Sequence, residues 1–514
     1  EVEDIYAQFN SGISNSYAIR DYLRYAYHQW VVRQKYVLIV GDTNSGKIRP
    51  LTGSTGDSRE KQSGLVPTIM VQTPKYGATA SDNQFVLLAD DDHLPDVAIG
   101  RLPVSNLTDL QVVINKILSY ESLPSQAEEK FWRQRILVLA GNGHAFVEQS
   151  EALIKLAPAF QPQRIYANDP DLPVYGAARE VISAFDQGAS LVNFLGHGGG
   201  SIWSDNRMMG LGDVALLNNR DRLPFVISMT CFTGYFDNPH SNCLGEEMLL
   251  AANGGAIAFL GDTGFGWILG DYYFNRELFK VIFEEGKRTL GEIILTAKRR
   301  FLRQHPGYID IIEMYTLLGD PALRLNLPPP TIQIQPTDIS VATPSQLLIT
   351  SDFSGQAEVV FFDQNGNDLS RSRINLRPTA QLQVSNRAVS GVRVHAWNQQ
   401  QDAVGYYQFQ SATTHLAAKL PDLVISRLDL IEHQSQIMLS VEVQNLGQAG
   451  ASQILVKVSS ILDRKEPSTE QASEQRIEKI GIDEKKQIMI PWQPQKSITE
   501  IQATVELTDG QREE

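Results

Sequence analysis

The sequence predicts an α/β unit of two side-by-side parallel-sheet subdomains, followed by two all-β sandwich modules. Two observations carry the first half. Short apolar runs alternate with helical stretches from Tyr36 to Leu325, as in βαβ units. The runs are apolar throughout, as strands buried on both faces are. A third observation carries the second half: past Leu327-Pro328-Pro329-Pro330 the texture changes to short alternating strands broken by turn residues.

The elements follow in order. Ser16 to Val32 has helical spacing, with Tyr22, Leu23, Ala26, Tyr27 and Trp30 as its apolar stripe and an N-cap among Ser14 to Ser16. Tyr36 to Val40 reads as a strand. The stretch from Thr43 to Gly64 is polar, rich in Gly, Ser and Thr, and reads as a long surface loop. Its opening, Gly41 to Lys47, misses the phosphate-loop pattern because Ile48 follows the lysine. Val66 to Val71, Phe85 to Leu88 and Asp96 to Arg101 read as strands, and Ser105 to Glu121 as a capped amphipathic helix. Ile136 to Ala140 opens the second series, which continues through helices at Ala145 to Ala157 and Ala177 to Gln187 and a strand near Arg164 to Tyr166. Domain boundaries are expected at residues 1–125, 126–328, 331–411 and 420–514, the last two marked by the proline run and by Lys419-Leu420-Pro421.

Two segments carry chemistry. LVNFLGHGGGSIW (Leu191 to Trp203) and LPFVISMTCFTG (Leu223 to Gly234) each begin as a buried strand and stop at a reactive residue, His197 and Cys231. Sites in open α/β sheets collect at the carboxyl ends of the strands, so the two residues are expected to meet. A thiol needs a base to give thiolate, and imidazole titrates near neutral pH. The glycines flanking His197 let a substrate carbonyl approach backbone N–H groups.

Composition narrows the partners. A net charge of −14 with no dense Lys/Arg tract argues against nucleic acid or an anionic membrane surface. No run of 18 apolar residues predicts a membrane span. The chain starts at Glu1 without a leader-like segment, which is read as a mature form whose signal peptide is absent. Cys231 and Cys243 are both read as thiols, since a disulfide between them would quench the nucleophile.

The two motifs, with YVLIVGD, TASDNQF, LPDVAIGRLPV, the helix ending ILSYE and the closing LLGDPALRL, resemble the gingipain-type cysteine peptidases of family C25. The likeness runs in order over residues 1 to about 328. It implies a caspase-like fold and a His/Cys dyad. Cys231 is then the nucleophile and His197 the general base and acid, with the N–H groups of Gly198 and Cys231 as the oxyanion hole. Trp267 takes the place of a tryptophan by the specificity pocket, and Met229 and Glu148 are further candidate substrate contacts. The implied activity is endopeptidase cleavage of protein or peptide substrates, with no cofactor needed for the chemistry. Residues 331 to 411 resemble the family's immunoglobulin-type module, and the last module resembles CARDB-type adhesion domains. Both are expected to contact a cell surface or other proteins, in a secreted or surface-bound bacterial or archaeal protein.

Two departures stand out. Arginine-specific members have a Glu that orients the histidine; here Asn142 or Gly143 falls there, and an Asn142 amide oxygen could accept from the imidazole. Their pocket acid is replaced by Phe146 or Val147, with Glu148 adjacent, so a strict arginine preference is not expected. Asp90, Asp92 and Asp96 alternate as hard oxygen ligands and raise a structural calcium ion as an expectation, which family members also bind. Two other readings stay open: a sortase-like transpeptidase, which passes the acyl group to an amine, and a surface protein with a retired peptidase domain.

Overall fold

The computed structural model describes residues 1–43, 66–74, 76–89, 92–122, 127–167, 177–204, 207–337, 346–384, 389–409, 423–433, 436–445, 451–461, 469–481, 484–492 and 500–507. The polar loop from residue 44 and the Asp90-Asp91 pair lie outside them. The chain divides into two compact units, Glu1–Phe409 and Gln410–Glu514.

The first unit is organised by one eight-stranded sheet. Its strands in chain order are β1 (Tyr36–Val40), β2 (Ala98–Leu102), β3 (Arg135–Ala140), β4 (Gln161–Tyr166), β5 (Leu191–Leu195), β6 (Phe225–Met229), β7 (Ala258–Asp262) and β8 (Tyr315–Leu318), and their spatial order is β1-β2-β8-β7-β6-β5-β3-β4. The two expected side-by-side sheets are therefore one. The joining strand is β8, antiparallel to β7 and parallel to β2 through Leu318↔Arg101. β1 and β2 consequently run opposite to β3–β7. The apolar run of β8 shows that it is buried, but its sequence holds nothing about which neighbours it pairs with.

Every residue of β3, β5, β6 and β7 is buried. This explains their unbroken apolar pattern, because helices cover both faces of a parallel sheet. Leu137, Leu139, Val192, Phe194, Val226 and Phe259 share a core with Val181 and Phe185 of the helix Ala177–Gln187 and with Leu244 and Met248 of the helix Leu244–Leu250. Near the N-terminus, the helix Ser16–Gln29 starts at Asn15, whose side chain accepts the Tyr17 N–H at 2.8 Å. It buries Ala18, Ile19, Leu23 and Ala26, whereas Trp30 lies past its end and is exposed. Phe85 to Leu88 is not a strand: Asp82–Val86 is a 3-10 turn, and the pairing partner of Ile69–Thr73 is Gly77–Ser81. Phe85 and Val86 are still fully buried, so their apolar run reports core rather than pleat.

Beyond the proline run, a three-stranded and a four-stranded antiparallel sheet enclose one core that includes Leu347, Ile349, Val359, Val392 and Val394. This module is tied to the α/β part by a buried ion pair, Arg133 to Asp402 at 2.7 Å, and by Arg393 donating to the carbonyl of Pro158. The second unit has two three-stranded antiparallel sheets around Leu439, Val441, Val443, Ile454, Val456 and Val458.

Candidate active site

β5 and β6 are parallel neighbours whose last registered pair is Leu195↔Met229. His197 and Cys231 each lie two positions further, at the same carboxyl edge. The next strand on the other side, β3, is in register with β5 up to Ala140↔Leu195. Gly141 and Gly196 then face each other so closely that a Cβ on Gly196 would lie 2.9 Å from the Gly141 Cα. Both positions need glycine for this approach.

The chain after each strand is firmly held. His197 gives its carbonyl to the Ser204 N–H at 2.8 Å, closing a short ribbon in which Gly198 pairs with Trp203. The Gly200 carbonyl accepts the Leu244 N–H at 2.7 Å. Gly198 packs on Thr230, the residue before the cysteine: a Cβ there would meet the Thr230 Oγ1 at 2.7 Å. After Cys231, Phe232 has φ +62°, a left-handed turn, and donates its N–H to the Gly264 carbonyl at 2.9 Å. Trp203 Nε1 donates to Ser228 Oγ of β6 at 2.8 Å, and Ser228 is bonded in turn to Thr233. The loops of His197 and Cys231 are thus tied to one another and to β6. His197 is exposed, Cys231 is half-buried and Cys243 is buried in the core, with no disulfide between the cysteines.

The other expected residues are placed differently. Asn142 is exposed and makes no hydrogen bond to His197; the imidazole meets the edge of Phe146, with ring centroids 5.2 Å apart at 89°. Phe146 is buried and rests on Gly143. Met229 is 1% exposed inside the sheet, so it is core and not a substrate contact. Glu148 faces solvent on its helix, paired with His144 at 3.3 Å. Trp267 starts the helix Ile268–Phe279 and is half-buried, its Nε1 donating to Asp310 Oδ2 at 2.6 Å.

The calcium expectation does not fit the described carboxylates. Asp96 Oδ2 accepts the N–H groups of Leu88 and Ala89, and its other oxygen lies 3.9 Å from Arg299. Asp92 accepts the Leu94 N–H. Among the described residues no three acidic, His or Cys side chains gather to hold a metal.

The sequence reading missed an acid at the same edge. Asp262 ends β7 with its side chain fully buried, accepting the Gly264 N–H at 2.7 Å through Oδ1. Burial, then the charge of Asp271, pushes its carboxyl well above the usual range. The Tyr315 hydroxyl is pushed up by burial first, then by Asp271, Asp262 and Cys231, which puts the thiol within electrostatic reach of this group. The available signal was the strand-end position of Asp262, the same one that marks His197 and Cys231.

Residues 1–326 match the family model for peptidase family C25. The chain belongs to this family. Among C25 relatives, gingipain R1 of Porphyromonas gingivalis is 25% identical over 289 residues, covering 52% of this chain and 28% of its own length. Gingipain R2 of the same species is 25% identical over 305 residues, 56% of this chain and 39% of its own. Lys-gingipain is 24% identical over 191 residues, 36% of this chain and 11% of its own. The chain therefore spans well under half the length of these relatives. Among solved structures, the Arg-specific cysteine proteinase gingipain R superposes with a TM-score of 0.52 at 20% identity, over 78% of this chain and 90% of that one. The mixed α/β core thus has the gingipain fold.

Proposed function

We propose that this C25 member is a cysteine endopeptidase. The observation that carries the reading is the register of β5 and β6, which ends both strands two residues short of His197 and Cys231. The thiolate of Cys231 attacks the scissile carbonyl, and the tetrahedral oxyanion is held by the N–H groups of Gly198 and Cys231. His197 protonates the leaving amine, then takes a proton from the water that hydrolyses the acyl-enzyme. The exposed ring of His197 and the half-buried Cys231 support this, since substrate and water must reach both. The immunoglobulin-like and CARDB-like identity of the two β modules, and a secreted or surface location, belong to the same proposal. Paired antiparallel sheets around one core in each module support the sandwich reading of the modules.

The test is covalent labelling by an electrophilic peptide probe. Cys231→Ala is expected to abolish labelling and peptide cleavage while the thermal unfolding midpoint stays near that of the parent. Undiminished labelling in that variant removes Cys231 from the reaction.

A further inference from the structure

At the carboxyl edge of β6 and β7, the residue after the nucleophile opens an aromatic cluster. Phe232 packs edge-on against Tyr76 at 4.8 Å and Phe265 at 4.9 Å, and Tyr76 meets Phe265 at 5.7 Å. Tyr235 joins at 5.8 Å from Phe232, and its hydroxyl is pushed up to about 12 by burial and then by its hydrogen bond with Tyr76. The rings come from three separate segments: the Ile69–Ser81 hairpin, the turn after β6 and the loop after β7. Phe265 is 41% exposed and Tyr76 is 40% exposed, so the cluster presents ring surface to solvent.

Two features mark this as a built surface. Phe232 holds a left-handed backbone, φ +62°, which a bulky side chain adopts only at an energetic cost. That turn directs its ring into the cluster immediately beside Cys231. Aromatic rings also offer large, stiff contact area with little rotamer entropy to lose on binding.

We propose that Tyr76, Phe232 and Phe265 form a substrate subsite that takes a large apolar or aromatic side chain next to the scissile bond. The occupant follows from position. A peptide whose carbonyl lies at the Cys231 sulfur runs past the neighbouring residue, and the surface there is aromatic. The inference deepens the peptidase reading and rests on it, so its test is a binding measurement that needs no turnover.

In the full chain carrying Cys231→Ala, peptides of one sequence are compared with Phe, Leu, Ala or Arg at each position flanking the cleavage site. At one position Phe and Leu peptides are expected to bind about tenfold more tightly than the Ala peptide, the scale of discrimination an apolar pocket gives. Adding Phe265→Ala or Tyr76→Ser is expected to erase that difference, with the unfolding midpoint as the check on folding. Equal affinity for Phe and Ala peptides overturns the proposal, as does a preference that survives both substitutions. An Arg peptide that binds best, and loses its advantage in the same variants, overturns the apolar class in favour of cation stacking. Cleavage by the parent chain is scored separately, so loss of the peptidase reading and loss of the subsite are distinguishable.

Discussion

The glycine run after His197 offers a test of how tightly the two motif loops are coupled. Neither Gly198, Gly199 nor Gly200 has a positive φ, so the backbone at all three admits alanine. Only the space differs. A Cβ at Gly198 lies 2.7 Å from Thr230 Oγ1, 2.9 Å from Thr230 Cγ2 and 3.0 Å from the Ile202 carbonyl oxygen. Ordinary contact begins at 3.4 Å, so the loop or Thr230 must give by about 0.7 Å, close to the 1 Å misplacement that costs about 100-fold in rate. A Cβ at Gly199 meets nothing nearer than 3.8 Å. Gly198→Ala is therefore expected to lower kcat/KM by about 30- to 100-fold, with Gly199→Ala within a few-fold of the parent. The assay is hydrolysis of a fluorogenic peptide, normalised by titration of reactive Cys231, with thermal unfolding as the control. Equal activity in the two variants would refute the argument that contact between Gly198 and Thr230 aligns the dyad.

Three further outcomes are expected. Phe146→Ala removes the ring against which His197 rests; an edge-to-face pair is worth about 0.5–1.5 kcal/mol, so kcat should fall about three- to tenfold with KM little changed, and Phe146→Tyr should restore it. Asp262→Asn keeps an acceptor for the Gly264 N–H but removes a buried acid. The folded carboxyl titrates above its unfolded value of about 3.9, so its contribution to stability is full below that value and is lost as pH rises through the folded one; unfolding scans should show the Asn variant gaining on the parent as pH increases from 4, and a gap independent of pH would contradict this. Lys116 is buried and its Nζ donates to the carbonyls of Leu249 at 2.8 Å and Gly254 at 2.9 Å, closing the end of the helix Leu244–Leu250. Lys116→Met strands these carbonyls and should cost about 1–3 kcal/mol in denaturant unfolding.

Much of the fold was legible because parallel strands announce themselves. The runs LVNFL, FVISM and RILVLA are buried at every position, and each became a central strand of the sheet. What remained hidden is pairing. The run Tyr315–Leu318 is apolar, yet nothing in it specifies antiparallel pairing with β7 on one side and parallel pairing with β2 on the other. The acid cluster was missed for the same reason, since Asp262, Asp271 and Tyr315 come from a strand, a helix and that joining strand. At the site, strand-end position places His197 and Cys231 two residues past the last registered pair of β5 and β6, Leu195↔Met229. Asn142, expected from the family resemblance to orient the histidine, faces solvent in the turn after β3, and the buried Phe146 lies against the imidazole. For Asp92 and Asp96, alternating carboxylates resembled a cation loop. Carboxylates also accept backbone N–H groups, as Asp92 does from Leu94 in its own turn and Asp96 does from Leu88 and Ala89.

In the proposed dyad, the alignment of His197 with Cys231 follows the register of β5 and β6, and polar contacts inside the sheet help to fix that register. Shifting β5 by one position along β6 would move His197 about 3.3 Å and turn its side chain to the opposite side of the sheet. Such a slip would expel no charge and bury no new one, because β5 and β6 are apolar apart from Asn193 and Ser228, so hydrophobicity alone discriminates weakly between the two alignments. The two polar residues do discriminate. Asn193 accepts from Asn275 Nδ2 of the helix Ile268–Phe279 at 2.8 Å, and Ser228 holds Trp203 at 2.8 Å. Both bonds are buried, and a one-residue slip that moves Asn193 away from Asn275 or Ser228 away from Trp203 strands a donor or acceptor at about 1–3 kcal/mol each. Each of these contacts lies within four residues of the reactive residue on its own strand. If the proposed dyad holds, these polar atoms act on its geometry through alignment, and Asn193→Leu is expected to lower kcat/KM for a fluorogenic peptide at a temperature where the unfolding midpoint shows the chain still folded.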